Sequence, residues 1–226
     1  MKNHRHTLRT LALAALTFSA AGAAQADLNF YTSQSAFLAA TSATQVDTFD
    51  DLFWAEGPNY LYRTAGPYSY YGYSLMPDAS YSSFYNAGTD ADVWLSTNQA
   101  TDIISLQFYD GIVFGVGGYF FATDANGSFM PGQSIKLDAL DADGNELVQI
   151  VDNAMPNTFY GFASSSPITY FEISAVQPNG DYAWATANNL TLGGVAAVVP
   201  EPASYALLMA GLGVVALGAR RRRLER

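Results

Sequence analysis

The sequence predicts an all-β domain, an antiparallel β-sandwich, and three observations carry that expectation. Helical periodicity is scarce between residues 27 and 199. Short runs of β-branched and aromatic residues are divided there by Gly, Pro, Asn and Asp. The runs have strand length, and the residues between them have turn chemistry, with no repeat of fixed period.

Taken in order, Gln34–Thr41 (QSAFLAAT) is the one short helix, with Ser33 or Ser35 as its cap. Ile103–Tyr109 reads as a strand. Ile112–Thr123 (IVFGVGGYFFAT) is another, with Gly117 and Gly118 marking a bulge or a close backbone approach. Asp124-Ala125-Asn126-Gly127 is a turn. Ile135–Leu140 and Glu146–Val151 flank Asp141-Ala142-Asp143-Gly144-Asn145, which is a hairpin signal. Ile168–Val176 alternates, and Asn188–Leu192 is a short last strand. The sandwich is expected over residues 27–193, followed by a linker at 194–199.

Both ends of the chain read as addresses. Lys2, Arg5 and Arg9 form a positive region, and Leu11–Phe18 is apolar. Ala24-Gln25-Ala26 then offers an A-x-A site, so signal peptidase is expected to remove 1–26 and leave Asp27 as the first residue. At the other end Pro200-Glu201-Pro202 precedes an apolar run, Ala203–Ala219, and then Arg220, Arg221, Arg222 and Arg223. Those 17 residues would extend roughly 25 Å as a helix, short against a hydrocarbon core of about 30 Å. Tyr205 and the arginines suit the two interfaces, and the basic 220–226 tail is expected to stay cytoplasmic. Pro200 and Pro202 keep the strip before the span extended and accessible. A plain single-span anchor is the competing reading.

This ordered set resembles the PEP-CTERM sorting signal of Gram-negative envelope proteins. The resemblance implies recognition and processing by a membrane-embedded exosortase, with Pro200, Glu201 and Pro202 as the processing motif. It also implies a transient stay in the inner membrane, then the cell surface or the extracellular matrix of a biofilm.

Composition excludes much chemistry. Between residues 27 and 199 the only basic residues are Arg63 and Lys136, against 18 Asp and Glu, a formal charge of about −16. Such a field disfavours nucleic acid and anionic membrane surfaces. Both histidines, His4 and His6, precede the cleavage site, and there is no cysteine. Ser-His-Asp and Cys-His nucleophile systems are therefore impossible in the exported part, and zinc, iron and copper lose their preferred ligands. Only a hard ion held by oxygen, calcium, suits the residues that remain.

Asp141, Asp143 and Asn145 take positions 1, 3 and 5 of a calcium loop, with Asp152 at position 12. Glu146 stands where that loop needs glycine, so a solvated hairpin turn is preferred over an EF-hand. A sandwich-type calcium site from carboxylates at strand ends stays open. Asp47, Asp50 and Asp51 are its better candidates, because an early strand in such folds can lie near the last one. Ordinary surface acidity competes with both readings.

Tyrosines crowd between Tyr60 and Tyr85, and Tyr68, Tyr70, Tyr71 and Tyr73 are the candidate glycan contacts. Tyrosine joins a flat apolar face to a polar tip, which suits stacking on sugar rings. Rings packed inward from a sandwich edge are the alternative. Trp54, Trp94 and Trp184 are expected in the core, with one exposed for stacking as the alternative. Gly115-Val116-Gly117-Gly118 fails as a nucleotide motif, since no glycine follows at the needed spacing and no helix begins there.

Gly117–Thr123, Pro131-Gly132, the Asp143-Gly144-Asn145 turn, Phe159-Tyr160-Gly161-Phe162, Ser166-Pro167-Ile168 and Asn188-Asn189-Leu190 resemble the C-terminal half of many PEP-CTERM ectodomains. Those are similar to jelly-roll, lectin-like sandwiches. Relatives often carry Asp-Asn-Leu in the last strand, where this chain has Asn188. The expectation that follows is an exported, non-catalytic surface module that binds exopolysaccharide or builds the matrix. A carboxylate-based glycoside hydrolase and a self-associating coat protein are the alternatives.

Overall fold

A computed structural model describes residues 27–54, 57–75, 81–179, 181–195 and 210–212. The elements run β1 (Leu28–Tyr31), α1 (Gln34–Ala40), β2 (Thr41–Asp47), β3 (Tyr60–Ala65), β4 (Tyr68–Leu75), β5 (Phe84–Thr89) and β6 (Asp92–Thr97). They continue with β7 (Ile103–Gln107), β8 (Gly115–Thr123), β9 (Ile135–Asp141), β10 (Glu146–Val151), β11 (Phe159–Ser164), β12 (Ile168–Ala175) and β13 (Trp184–Val195). Every strand pairing is antiparallel, and the strands form two sheets. The first has the order β1-β11-β8-β13-β6-β5, with β2 also on β13, and the second the order β10-β9-β12-β7-β4-β3.

The sandwich follows from alternation. Successive strand residues point to opposite faces, so each sheet turns one apolar set inward. Val116, Phe120, Phe162, Leu190 and Leu192 of the first sheet meet Leu61, Tyr70, Ile104, Leu137 and Phe171 of the second in one buried cluster. Phe171 sits at its middle, with ring centroids 5.2 Å from Phe120 and 5.7 Å from Phe162.

The expected helix is present and one residue shorter. Ser33 is its extended N-cap, without a side-chain capping bond. Seven residues form a marginal helix alone; this one holds because Phe37 is fully buried on the first sheet. Glycines make room for that ring. A Cβ at Gly161 would lie 2.7 Å from Phe37, and one at Gly115 would lie 3.1 Å from it.

The last strand is longer than the sequence reading: β13 covers twelve residues and is central in the first sheet. Its one edge pairs with β8, and its other edge is shared by β6 and β2. The bulge expected at Gly117 and Gly118 lies opposite them on β13, where the register shifts between Asn188 and Thr191 and Asn189 adopts φ 51°. The glycines serve close approach instead, since a Cβ at Gly117 would fall 2.6 Å from the Phe159 ring.

Candidate functional site

The outer face of the second sheet carries a tyrosine platform. The β3–β4 hairpin sets Tyr60 opposite Tyr73 and Tyr62 opposite Tyr71, all on the side away from the core. The register then runs across the sheet. Tyr73 pairs with Ser105, which pairs in turn across Glu172 to Asp138; beside it, Tyr71 pairs with Gln107, and Gln107 with Tyr170. At about 4.8 Å between strands, the row from Tyr60 to Asp138 is roughly 19 Å long. Tyr60, Tyr62 and Tyr109 stay 60%, 57% and 66% exposed, far more than buried packing would leave. Tyr71 lies between two of these rings, 5.0 Å from Tyr62 and 5.7 Å from Tyr109. The Tyr109 hydroxyl donates to Gln107 Oε1, which fixes that ring at the platform edge.

The far end of the row is acidic. Lys136 Nζ lies 3.2 Å from Asp138 Oδ2, while Asp138 Oδ1 is enclosed without a hydrogen-bond partner. Ser105 Oγ is likewise enclosed, beside the Tyr170 hydroxyl. Burial pushes the Tyr170 phenol up from its ordinary range, and the adjacent Glu172 carboxylate adds to the shift. The face therefore offers stacking rings at one end and hydrogen-bond acceptors at the other.

Of the four tyrosines singled out in the sequence, alternation divides them evenly. Tyr71 and Tyr73 face outward on the platform. Tyr68 and Tyr70 face the core at 3% and 1% exposure, which corrects their assignment as glycan contacts. Their hydroxyls are used internally: Tyr68 donates to Ala43 O at 3.0 Å and Tyr70 to Asp47 Oδ2 at 2.7 Å. Tyr60, Tyr62 and Tyr109 are the other exposed rings of this face. Period-two spacing around the hairpin turn marks Tyr60 and Tyr62, and nothing local marks Tyr109.

Asp47 does lie beside the last strand, opposite Leu190, as the early-strand expectation required. The Arg63 guanidinium stands between two of the carboxylates, Asp47 and Asp51. Arg63 Nε donates to Asp47 Oδ2 at 2.6 Å and Nη2 to Oδ1 at 2.5 Å; Nη2 also reaches Asp51 Oδ1 at 2.6 Å. Asp50 turns away, its Oδ1 accepting from Val93 N at 3.3 Å. Burial opposes the Arg63 charge, yet its bonds to Asp47 and Asp51 hold its pKa above the ordinary arginine range. The same Arg63 bond draws the Asp51 carboxyl below the usual carboxylate range.

At the other calcium candidate, Asp141 is taken by its own turn. Its Oδ1 accepts from the Asp143 and Asn145 amides at 3.0 and 2.9 Å, and its Oδ2 from Ser164 Oγ at 2.8 Å. Burial would raise the Asp141 carboxyl, but the Asn145 and Ser164 donors bring it below the ordinary range. Asp143 accepts from Ser166 Oγ. Among the described residues, no group of three or more carboxylates converges on a metal position. Arg63 bridges Asp47 and Asp51, Asp50 bonds Val93, and Asp141 and Asp143 are held around their own turn, so neither set of calcium candidates converges on one point.

The tryptophans split as well. Trp54 and Trp94 pack against the core, Trp94 edge-on to Phe121 at 4.9 Å. Trp184 instead reaches Asn98 O at 3.3 Å beside Tyr182. A concavity of about 400 Å³ lies at the β5 edge, lined by Trp54, Tyr81, Ser83, Tyr85, Asn86 and Asn98. Among the described residues, no carboxylate lines it. Ala24 and Ala26, the Pro200–Pro202 strip, most of the Ala203–Ala219 span and Arg220–Arg223 lie outside the described residues. Asp27 is described, its amide 3.3 Å from Ser165 Oγ.

Residues 198–223 match the family model of the PEP-CTERM protein-sorting motif. No curated protein matches the chain. Among solved structures, the chain is similar to a family two carbohydrate esterase from Cellvibrio japonicus. That match has 13% identity and a TM-score of 0.21, and it covers 78% of this chain and 38% of the esterase. The chain thus carries a PEP-CTERM sorting motif on a two-sheet antiparallel sandwich, and the motif implies an exported protein sorted toward the cell surface.

Proposed function

We propose that the chain is exported by a cleaved signal peptide, held briefly in the inner membrane by Ala203–Ala219, and processed at Pro200–Pro202 by an exosortase. The sandwich then acts at the surface as a non-catalytic glycan-binding module. The observation that carries this reading is the outward row of Tyr60, Tyr62, Tyr71 and Tyr109. Four rings lie exposed or half-exposed around one sheet face of an otherwise well-packed domain. Tyrosine hydroxyls and flat ring faces suit the polar rims and C–H faces of sugars.

The test uses the full chain in nonionic detergent with the exopolysaccharide of its own host, following pull-down and reducing-sugar release together. Binding without sugar release is expected. The double variant Tyr62→Ala with Tyr71→Ala should weaken binding about tenfold, roughly 1.4 kcal/mol, while the fold persists. Sugar release would replace this reading with the hydrolase, and unchanged binding in the double variant would move the site elsewhere.

One observation favours the self-associating coat as a second reading. Strand β10 is an edge of the second sheet, and Val148 and Ile150 on it are exposed. Such an edge is a template for pairing with another copy. Sedimentation that depends on protein concentration, abolished by Ile150→Lys, would support it.

A further inference from the structure

We infer that the glycan taken by the tyrosine face carries free amino groups, and that its ammonium groups seat against Asp138 and Glu172. This rests on the glycan-binding reading above and narrows its ligand class. Asp138 is 7% exposed and has one carboxylate oxygen without a donor, an arrangement that is costly unless something completes it. A carboxylate accepts and cannot donate, so its missing partner is a donor. Glu172 stands directly opposite on the next strand, beside the Tyr170 hydroxyl, and Ser105 stands opposite Glu172.

The face already shows which donor fits. The Lys136 ammonium lies 3.2 Å from Asp138 Oδ2, and its side chain is 43% exposed. A ligand ammonium in that place bonds Asp138 beside Glu172, its cross-strand neighbour. Its neighbouring rings then lie over Tyr73, Tyr71 and Tyr62, whose faces attract cations as well as C–H surfaces.

Long-range charge points the same way. Arg63, the other cation between residues 27 and 199, is turned inward and committed to Asp47 and Asp51. The acidic domain therefore repels uronic acids and sulfated sugars and draws in a polycation.

The experiment titrates the full chain, in nonionic detergent, with three probes: a glucosamine hexamer, its fully N-acetylated counterpart of identical linkage, and an oligoglucuronate. The glucosamine hexamer is expected to bind at least about tenfold tighter than the acetylated one, and the glucuronate not at all. Glu172→Gln should weaken glucosamine binding about tenfold, whereas Asp90→Asn, on the exposed turn between β5 and β6, should change it less than about twofold at physiological salt. Lys136→Met should tighten it, because the competing ammonium is gone. Melting curves of each variant establish that the fold is intact.

Equal binding of both hexamers overturns the amine inference and leaves the glycan-binding reading standing. An Asp90→Asn effect as large as that of Glu172→Gln overturns it in favour of a general acidic field. Binding of neither hexamer, with the host polysaccharide still retained, removes the amine inference alone. Failure of all four ligands removes both.

Discussion

Replacing Arg63 with methionine is expected to cost about 3–5 kcal/mol of folding stability. Asp47 keeps only 3% of its side-chain surface exposed, and Arg63 keeps 14%. Arg63 supplies two of the hydrogen bonds that the Asp47 carboxylate accepts, and Tyr70 supplies a third. Removing the guanidinium leaves a buried carboxylate with its charge uncompensated, which is the expensive way to break such a pair. Asp51 is 73% exposed, so its share of the network is worth less than about 1 kcal/mol. For a domain of this size each kcal/mol lowers Tm by about 2–4 °C, which makes the expected drop roughly 6–20 °C. Urea unfolding with an unchanged m value is the assay. Arg63→Met with Asp47→Asn should recover a large part of the loss, because both halves of the charge pair are then gone. A loss under about 1 kcal/mol for Arg63→Met, no larger than that of Asp51→Asn, would refute the reasoning.

Three further outcomes follow from single sites. Asp102 is fully buried and burial raises its carboxyl pKa, against donors from Ser82 and Ser74. Its folded pKa exceeds the unfolded value, so its contribution is full below the unfolded pKa and is lost as pH rises through the folded one. Asp102→Asn should therefore flatten the fall in stability across that acidic window, as measured by urea midpoints at stepped pH; an unchanged pH profile would count against it. Gly161→Ala brings a Cβ to 2.7 Å from the Phe37 ring and 3.0 Å from that of Phe159, and overpacking of this kind should cost about 1–3 kcal/mol in denaturant unfolding. Calcium should leave Tm unchanged relative to chelator at matched ionic strength, since Arg63 and the Asp141 turn already use the candidate ligands; a rise of several degrees would restore the ion.

The C-terminal half of the sandwich was legible because its strands are marked at both ends. Asp141–Asn145 is a turn between two alternating runs, and Ile135–Asp141 and Glu146–Val151 pair around it as the sequence implies. The N-terminal half was not. Strands β3 to β6 are rich in Tyr, Ser, Thr, Asn and Gly, so their inward and outward faces differ little in polarity along the sequence. In the run Tyr68-Ser69-Tyr70-Tyr71, adjacent tyrosines obey opposite fates, and nothing local states which of them faces in. The hairpin turn at Gly66, with φ 58°, sets that phase. The surroundings of the calcium candidates were illegible for a different reason. Carboxylate spacing is visible in a sequence, but the arrival of Arg63 from another strand is not.

Arg63 also ties the proposed function to the fold. Asp47 lies on β2 of the first sheet and Arg63 on β3 of the second, so their contact is a strap between sheets. Strand β3 is the edge of its sheet and pairs only with β4. It displays Tyr60 and Tyr62 outward while Leu61 and Arg63, alternating with them, hold the strand from within. An edge strand released on its inner side frays first, and the two outermost rings of the platform leave with it. Arg63→Met should therefore weaken glycan binding although Arg63 touches no ligand, and amide exchange should rise in Tyr60–Ala65 before it rises in the central strands. Arg63→Met with Asp47→Asn should restore slow exchange and binding together. Binding that stays at the parent level while β3 exchanges freely would show that the platform does not depend on the strap.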